Sequence, residues 1–370
     1  MNHLGCVVWA PRGWGCDRGK LAVIVALVAS FGLLVAQSAY YYPFLADDAL
    51  ISLRYSSRLL EGKGLTWTDG QPVEGYSNLL WTLLVAVQGA CGIDLILGAR
   101  LLGVACMASV SVAAACWYLR RQPAGAVALP LTLGVLFFSC SSPIAVWMIG
   151  GLEQPLFAAL IAAAVPLAFA AIDDTHPRIR TLFCLSFVLG LLCLTRPDGP
   201  LFTVAVLAAL TLARLFDRRT MPWREAVLIA TLPVVFWAAQ MLFRIGYYGS
   251  YVPNTALVKI APSMQRFWEG IHYVVRGLNS LAPWSYLALA SLAGLTLRKE
   301  SRGRAVLLSL MVGLWLVYIA SVGGDIFPAF RHLVPIVAIL MYAIVEGCNS
   351  LSAVTRLAHR AALAQPECGG

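Results

Sequence analysis

The sequence predicts an all-α polytopic membrane protein with about ten transmembrane helices and juxtamembrane helices in its first exoplasmic loop. Three observations predict it. Sixty per cent of the 370 residues are apolar, 12% are charged, and mean hydropathy is +0.78, well beyond a water-soluble domain. Apolar windows able to cross about 30 Å of hydrocarbon recur along the whole chain. The polar residues between them are sorted by sign, with short basic clusters alternating with acidic and aromatic loops.

The windows lie near 21–41, 97–118, 125–141, 152–171, 181–196, 199–216, 225–243, 283–298, 305–321 and 331–348. With Arg12, Arg18 and Lys20 placed in the cytoplasm, the even connections carry Arg120-Arg121, Arg178 with Arg180, Arg214 with Arg218, Arg219 and Arg224, and Arg298-Lys299 with Arg302 and Arg304. Arg356 and Arg360 follow the last span, so 17 of the 27 Lys and Arg fall inside, as the positive-inside rule requires. Residues 1–348 then form one transmembrane domain and 349–370 a short cytoplasmic tail. Long exoplasmic loops occupy 42–96 and 247–282. Counting 77–90 as an eleventh span would invert the charge rule for every later loop, and its 14 residues make only about 21 Å, so it reads as an interfacial helix anchored by Trp81 and Tyr76.

The net charge of +9 is spread over these loops and forms no single face, which argues against nucleic acid as a partner and for membrane lipids. The first span reads as an uncleaved anchor. The ten cysteines show no CxxC or Cys/His zinc spacing and several sit inside apolar spans, although Cys91 and Cys140 share the outer side. Of the five histidines only His272 and His332 fall outside.

Every substantial non-basic polar motif falls on the exoplasmic side. Asp47-Asp48 opens a helix running to Leu60, with Ile51, Tyr55 and Leu59 on one face, Arg54 and Arg58 on another, and Gly62 and Gly64 ending it. One aspartate at a helix start is accounted for as a cap; its neighbour is not. A DG turn and a proline lead to Glu74, suited to hold a hydroxyl, and to Tyr76, suited to stack on a ring or to sit among headgroups. Arg54, Arg58, Arg196, Arg244, Lys259, Arg266 and Arg331 are the outward cations able to receive a phosphate. Arg196 and Arg331 sit at membrane boundaries, where an unpaired cation costs roughly 2.5–3.5 kcal/mol, so each is expected to pair with Asp198, Asp325 or an anionic ligand. Asn254 follows Pro253 and either donates to that anion or closes a turn. A carboxylate able to take a hydroxyl proton, beside cations able to hold a departing phosphate, is the minimum set for transferring a sugar from a lipid phosphate.

The stretches DDALISLRYSSRLLEGKGLTWTDGQPVEGYSNLLW at 47–81, GLEQPLFAAL at 151–160, RPDGPL at 196–201, YYGSYVPNTALVKI at 247–260 and GGDIFPAFRHLVPI at 323–336 resemble the GT-C fold family of polyprenyl-phosphate-dependent glycosyltransferases. The resemblance is narrowest to its bacterial arabinofuranosyltransferase-like branch. It implies Asp47 as base with Asp48 beside it, and Glu74 and Tyr76 in the first loop's VEGY segment. It also implies Lys259, Asp325 and Arg331 facing the donor phosphate or acceptor; the reading of the exoplasmic residues themselves adds Tyr55, Arg54, Arg58, Arg196, Asp198, Asn254 and His332 as further substrate-binding candidates. Asp198 stands where relatives often carry glutamate, and the chain stops soon after the tenth window. The implied partners are a polyprenyl-phosphate-linked sugar, arabinofuranose foremost, and a glycan or glycolipid acceptor outside a bacterial inner membrane. No cofactor is required; a divalent cation at the doublet is compatible with its chemistry, but no spacing motif demands one. Mannose or glucose on the same carrier would need the same base and clamp. A transporter is the rival class, but halves 21–196 and 199–348 show no clear repeat. A non-catalytic membrane protein of this fold would have no use for the acidic doublet.

Overall fold

The structure, a computed structural model, describes residues 18–218, 220–253 and 263–363, with side chains described as far as Leu351. Its elements are helical throughout the described residues. Helix α1 (Arg18–Tyr40) leads into a loop holding α2 (Asp47–Leu60) and α3 (Leu79–Ala90). Then follow α4 (Leu95–Arg121), α5 (Ala124–Cys140), α6 (Ser142–Ile149), α7 (Gln154–Asp173), α8 (Ile179–Thr195), α9 (Pro200–Phe216) and α10 (Trp223–Tyr248). The chain ends with α11 (Met264–Ser280), α12 (Trp284–Thr296), α13 (Arg302–Val322), a 3-10 turn (Pro328–Leu333) and α14 (Val334–Leu363).

Among the described residues six helices are long and apolar enough to cross a membrane, or seven if α5 and α6, bent by 59° at Ser141, count as one span. The shorter apolar helices α8, α9 and α12 fall on three further windows expected to span. Helix α14 is the centre. From Val334 to Val345 it is buried on every side, which an all-apolar helix requires, and α5, α7, α12 and α13 pack around it. Helix α1 lies outside, touching α5 and α6 through Val23 and Leu34 while Ile24, Val25 and Val28 face away from the bundle.

Two expectations for the first loop change on folding. Helix α3 packs against α2 and α4 and fully buries Trp81, whose indole donates to the Gly151 carbonyl at 3.0 Å. Tyr76 is only 2% exposed. Neither is a headgroup anchor, because the loop folds back on the bundle and offers both rings a protein interior instead. Cys91 and Cys140 are free thiols.

The helix ends sort the polar groups into two sets. One end gathers the loops after α1, α6, α8 and α13, and the other joins the far ends of α4, α7, α13 and α14. At that second end Arg304 meets Asp173 at 2.7 Å and Glu346 at 3.0 Å, and Tyr118 donates to Glu346 at 2.8 Å.

Candidate active site

Helix α2 spans the residues expected from its periodicity, and three contacts place its start. The Ala46 amide donates to Gly150 O at 3.0 Å, and Arg100 donates to the Pro43 and Phe44 carbonyls at 2.9 and 3.2 Å. Gly151, at φ +82°, lies so close that a Cβ there would stand 2.6 Å from Leu45 Cδ1 and 2.9 Å from Ala49 Cβ. The residue at the N-cap position is Ala46, which brings no side-chain bond. Asp47 instead accepts its neighbour's amide at 2.9 Å and stays exposed, so both carboxylates project from the helix start.

Across from them stands Arg331. Its Nη1 is 3.8 Å from Asp48, while Nε and Nη2 hold both Asp325 oxygens at 2.5 and 3.3 Å. The guanidinium is 4.1 Å from the Phe327 ring and 5.7 Å from that of Trp147, so aromatic faces supply the contacts that burial removes from water. The preceding Ala329 and Phe330 both take left-handed conformations, φ 54° and 49°, at a cost of roughly 1–3 kcal/mol each for non-glycine residues. The surroundings hold them there. Trp147 donates to Pro328 O at 3.1 Å, the Phe330 ring packs 5.2 Å from Tyr273, and the Tyr273 hydroxyl accepts the His332 amide at 3.3 Å. His332 Nε2 lies 3.8 Å from Asp325. Burial raises the Tyr273 hydroxyl above the ordinary tyrosine range, so it remains a neutral hydrogen-bonding group.

A second chain of polar groups runs behind the doublet. Ser52, one turn after Asp48, donates to Asn78 at 3.0 Å, Asn78 donates to Glu153 at 2.9 Å, and Arg196 donates to Glu153 at 2.6 Å. Arg196 also holds both Asp198 oxygens, Nε at 2.9 Å from one and Nη2 at 2.7 Å from the other. Ser52, Asn78, Glu153 and Asp198 are all buried, and a buried polar chain with its bonds made is rigid. Trp315 joins the two sets, lying 5.9 Å from Arg196 and donating its indole N–H to His332 O at 2.7 Å.

The remaining first-loop candidates form the wall beside this chain. Glu74 binds Arg244 through both oxygens, at 2.5 and 3.1 Å, with both residues buried. Burial pushes the Glu74 carboxyl above the usual carboxylate range despite the guanidinium, which pulls the other way. Tyr76 packs 4.8 Å from Tyr55 and 6.4 Å from Tyr248, and the Tyr55 hydroxyl donates to Val73 O at 2.5 Å while accepting the Gly75 amide at 2.8 Å. Desolvation raises both the Tyr55 and Tyr76 hydroxyls. Arg58 is buried and tied to Thr66, the Thr68 carbonyl and Asp69. Arg54 is exposed and lies a long 3.4 Å from Trp67 O.

The structure thus brings Asp48, Asp325, Arg331 and His332 together and joins Arg196 to Asp198. It sets Glu74, Tyr76 and Tyr55 in an adjoining wall and turns Arg58 into the loop. Asn254 and Lys259 lie outside the described residues. Sequence reasoning passed over Glu153, Asn78 and Trp147. Glu153 carried a signal, an acidic residue just after a Gly-Gly break at a span end, whereas Asn78 and Trp147 have nothing in composition to mark them.

The chain matches no family model. It is 29% identical over 284 residues to the terminal beta-(1->2)-arabinofuranosyltransferase of Mycobacterium tuberculosis, covering 74% of this chain and 44% of that protein. It is 28% identical to the Corynebacterium glutamicum protein of the same name, covering 90% and 53%. The chain therefore spans about half the length of these curated relatives. ArnT from Cupriavidus metallidurans, solved bound to undecaprenyl phosphate, superposes with a TM-score of 0.63 at 14% identity, covering 96% of this chain and 64% of that one. The chain accordingly shares the fold of that solved structure. Its named sequence relatives are arabinofuranosyltransferases at low identity.

Proposed function

We propose that this chain is an inverting glycosyltransferase that moves a sugar, arabinofuranose foremost, from a polyprenyl-phosphate donor to a glycan or lipid acceptor on the exoplasmic side of a bacterial inner membrane. The observation that carries this reading is the acidic doublet at the start of α2 facing a cation, with Asp48 3.8 Å from Arg331. The names of the relatives and the fold of the solved lipid-phosphate complex support it. In the proposed topology the ten windows all cross, both termini are cytoplasmic, and the doublet faces out.

The chemistry asks little of the protein. An acceptor hydroxyl attacks the anomeric carbon as the bond to the phosphate oxygen breaks, its proton passes to a carboxylate, and polyprenyl phosphate departs with the bonding pair. One displacement inverts the anomeric centre. Asp47, exposed and not engaged by a cation among the described residues, serves as base, and Asp48 keeps Arg331 turned toward the reacting atoms. Arg331 steadies the charge building on the phosphate, with Lys259 proposed as a second cation. Arg196, Arg244 and Arg58 already bind carboxylates and are assigned to holding the site's shape.

The test is a donor panel. Purified protein in lipid vesicles is given radiolabelled polyprenyl-phosphate arabinofuranose, mannose and glucose with an extracted envelope glycan, and labelled glycan is counted. Transfer from the arabinofuranosyl donor above the others is expected. Transfer from mannose or glucose alone would move the donor assignment, and transfer from none would overturn the proposal.

A further inference from the structure

At the end of the bundle opposite the doublet, α4, α7 and α8 border an open cavity of about 480 Å³ whose lining includes Arg121, Ala170, Asp173, Asp174, Arg178 and Thr181. Both α4 and α7 are long and apolar enough to span, and the cavity sits where both end, at the depth of lipid headgroups. Nothing in the proposed transfer reaction uses it.

We propose that this cavity binds the headgroup of a zwitterionic aminophospholipid. The charges of its lining balance, two guanidinium groups against two carboxylates, which suits a ligand carrying one charge of each sign. A phosphodiester fits Arg121, Arg178 and the Thr181 hydroxyl, beside the N-terminus of α8, whose first amides favour an anion. A primary ammonium fits the carboxylates. Asp174 spends one oxygen on the His176 amide, at 3.0 Å, and Asp173 leans on Arg304, so both keep lone pairs for a further donor. A quaternary ammonium is best held by aromatic faces, and among the described residues the lining has none. A purely anionic headgroup would meet two carboxylates.

A route for the tails leads away from the same cavity. Helix α7 packs against α4 on one side and α8 on the other, and its partly exposed stripe of Ala163, Pro166, Leu167 and Ala170 runs from the cavity along the bundle. Val112 on α4 and Phe183 on α8 are 52% and 53% exposed, so both helices that pack on α7 also offer apolar side chains with which an acyl chain gains contact area.

Native mass spectrometry tests the assignment. Full-length protein in mild detergent receives equimolar phosphatidylethanolamine, phosphatidylcholine and phosphatidylglycerol with identical chains. One phosphatidylethanolamine should be retained about tenfold over either competitor, the margin that one charge-assisted hydrogen bond supplies when the competitor is unable to make it. Asp174→Asn should bring that preference to parity, Arg178→Gln should lower retention of all three lipids because all three carry the phosphodiester, and Glu269→Gln on α11 should change neither. Equal retention of the three lipids by the wild type overturns the proposal without recourse to any variant. So does a preference for phosphatidylglycerol, which would mean that the cavity reads negative charge alone, or a preference that survives Asp174→Asn. The readout is independent of glycosyl transfer, so its failure leaves the proposed reaction untouched.

Discussion

Arg331 and Arg244 show how one residue type takes two jobs at one end of the molecule. Arg331 divides its donors between Asp325 and the vicinity of Asp48, whose side chain is 38% exposed, so the guanidinium stands beside an open carboxylate. Arg244 is closed in with Glu74, the two side chains being 8% and 3% exposed. Removing one partner of such a pair strands the other charge. Arg244→Ala is therefore expected to lower unfolding stability by roughly 3–5 kcal/mol, whereas Arg54→Ala, on an exposed face, should stay within about 0.5 kcal/mol. Thermal unfolding in detergent compares the two, and equal losses would contradict the distinction. From sequence alone these arginines were alike, because both count among the outward cations able to receive a phosphate. What separates them is the identity and burial of the carboxylate across the fold, and a linear pattern does not hold that information. Arg196 and Asp198, two residues apart, were legible as a pair for the opposite reason.

At the scale of elements, the position of α2 depends on the Gly150-Gly151 break more than on α2 itself. Gly151→Ala must accept a left-handed backbone and displace Leu45 or Ala49, at a cost of about 1–3 kcal/mol. The expected result is a larger fall in turnover than in melting temperature, because the strain acts on the segment leading to Asp47; unchanged turnover would show that α2 is placed by other contacts. The 61–78 loop makes a second prediction through Glu74. Its folded carboxyl titrates above the unfolded one, so its contribution to stability is fully present below the unfolded pKa and is lost as pH rises through the folded value. As pH rises above about 4, the usual unfolded carboxylate range, the melting temperature of the wild type should fall relative to Glu74→Gln, which has no proton to lose. The wild type gaining on the variant over that rise would show that Arg244 outweighs burial. The extent of α2 was legible because period and glycine stops agree over fourteen residues. The burial of Trp81 and Tyr76 was not, since amphipathic aromatic rings suit a lipid interface and a protein interior equally well, and only the packing of Trp81 with α4 and of Tyr76 with Tyr55 and Tyr248 decides.

For the whole molecule, the hydropathy windows were enough to locate apolar helices, six or seven of which are long enough among the described residues to cross a membrane. They were not enough to rank them. Helix α14, buried on every side, and α1, largely uncovered, are similarly apolar in sequence, and their places follow from packing partners far along the chain. The same holds for the site. Its acidic doublet is local and readable, but its other wall is built from Glu153, Arg196 and Arg331, brought in from three separate loops by the helices between them.

The central claim is that a carboxylate at the start of α2 takes the acceptor's proton while a lipid phosphate leaves. Single-turnover transfer in vesicles, using the donor that the panel identifies, tests it with Asp47→Asn and Asp48→Asn beside the wild type. Asp47→Asn is expected to slow the chemical step by about 10²–10⁴-fold while donor binding and melting temperature hold, with Asp48→Asn retaining more activity. Wild-type rates in both variants would contradict the account.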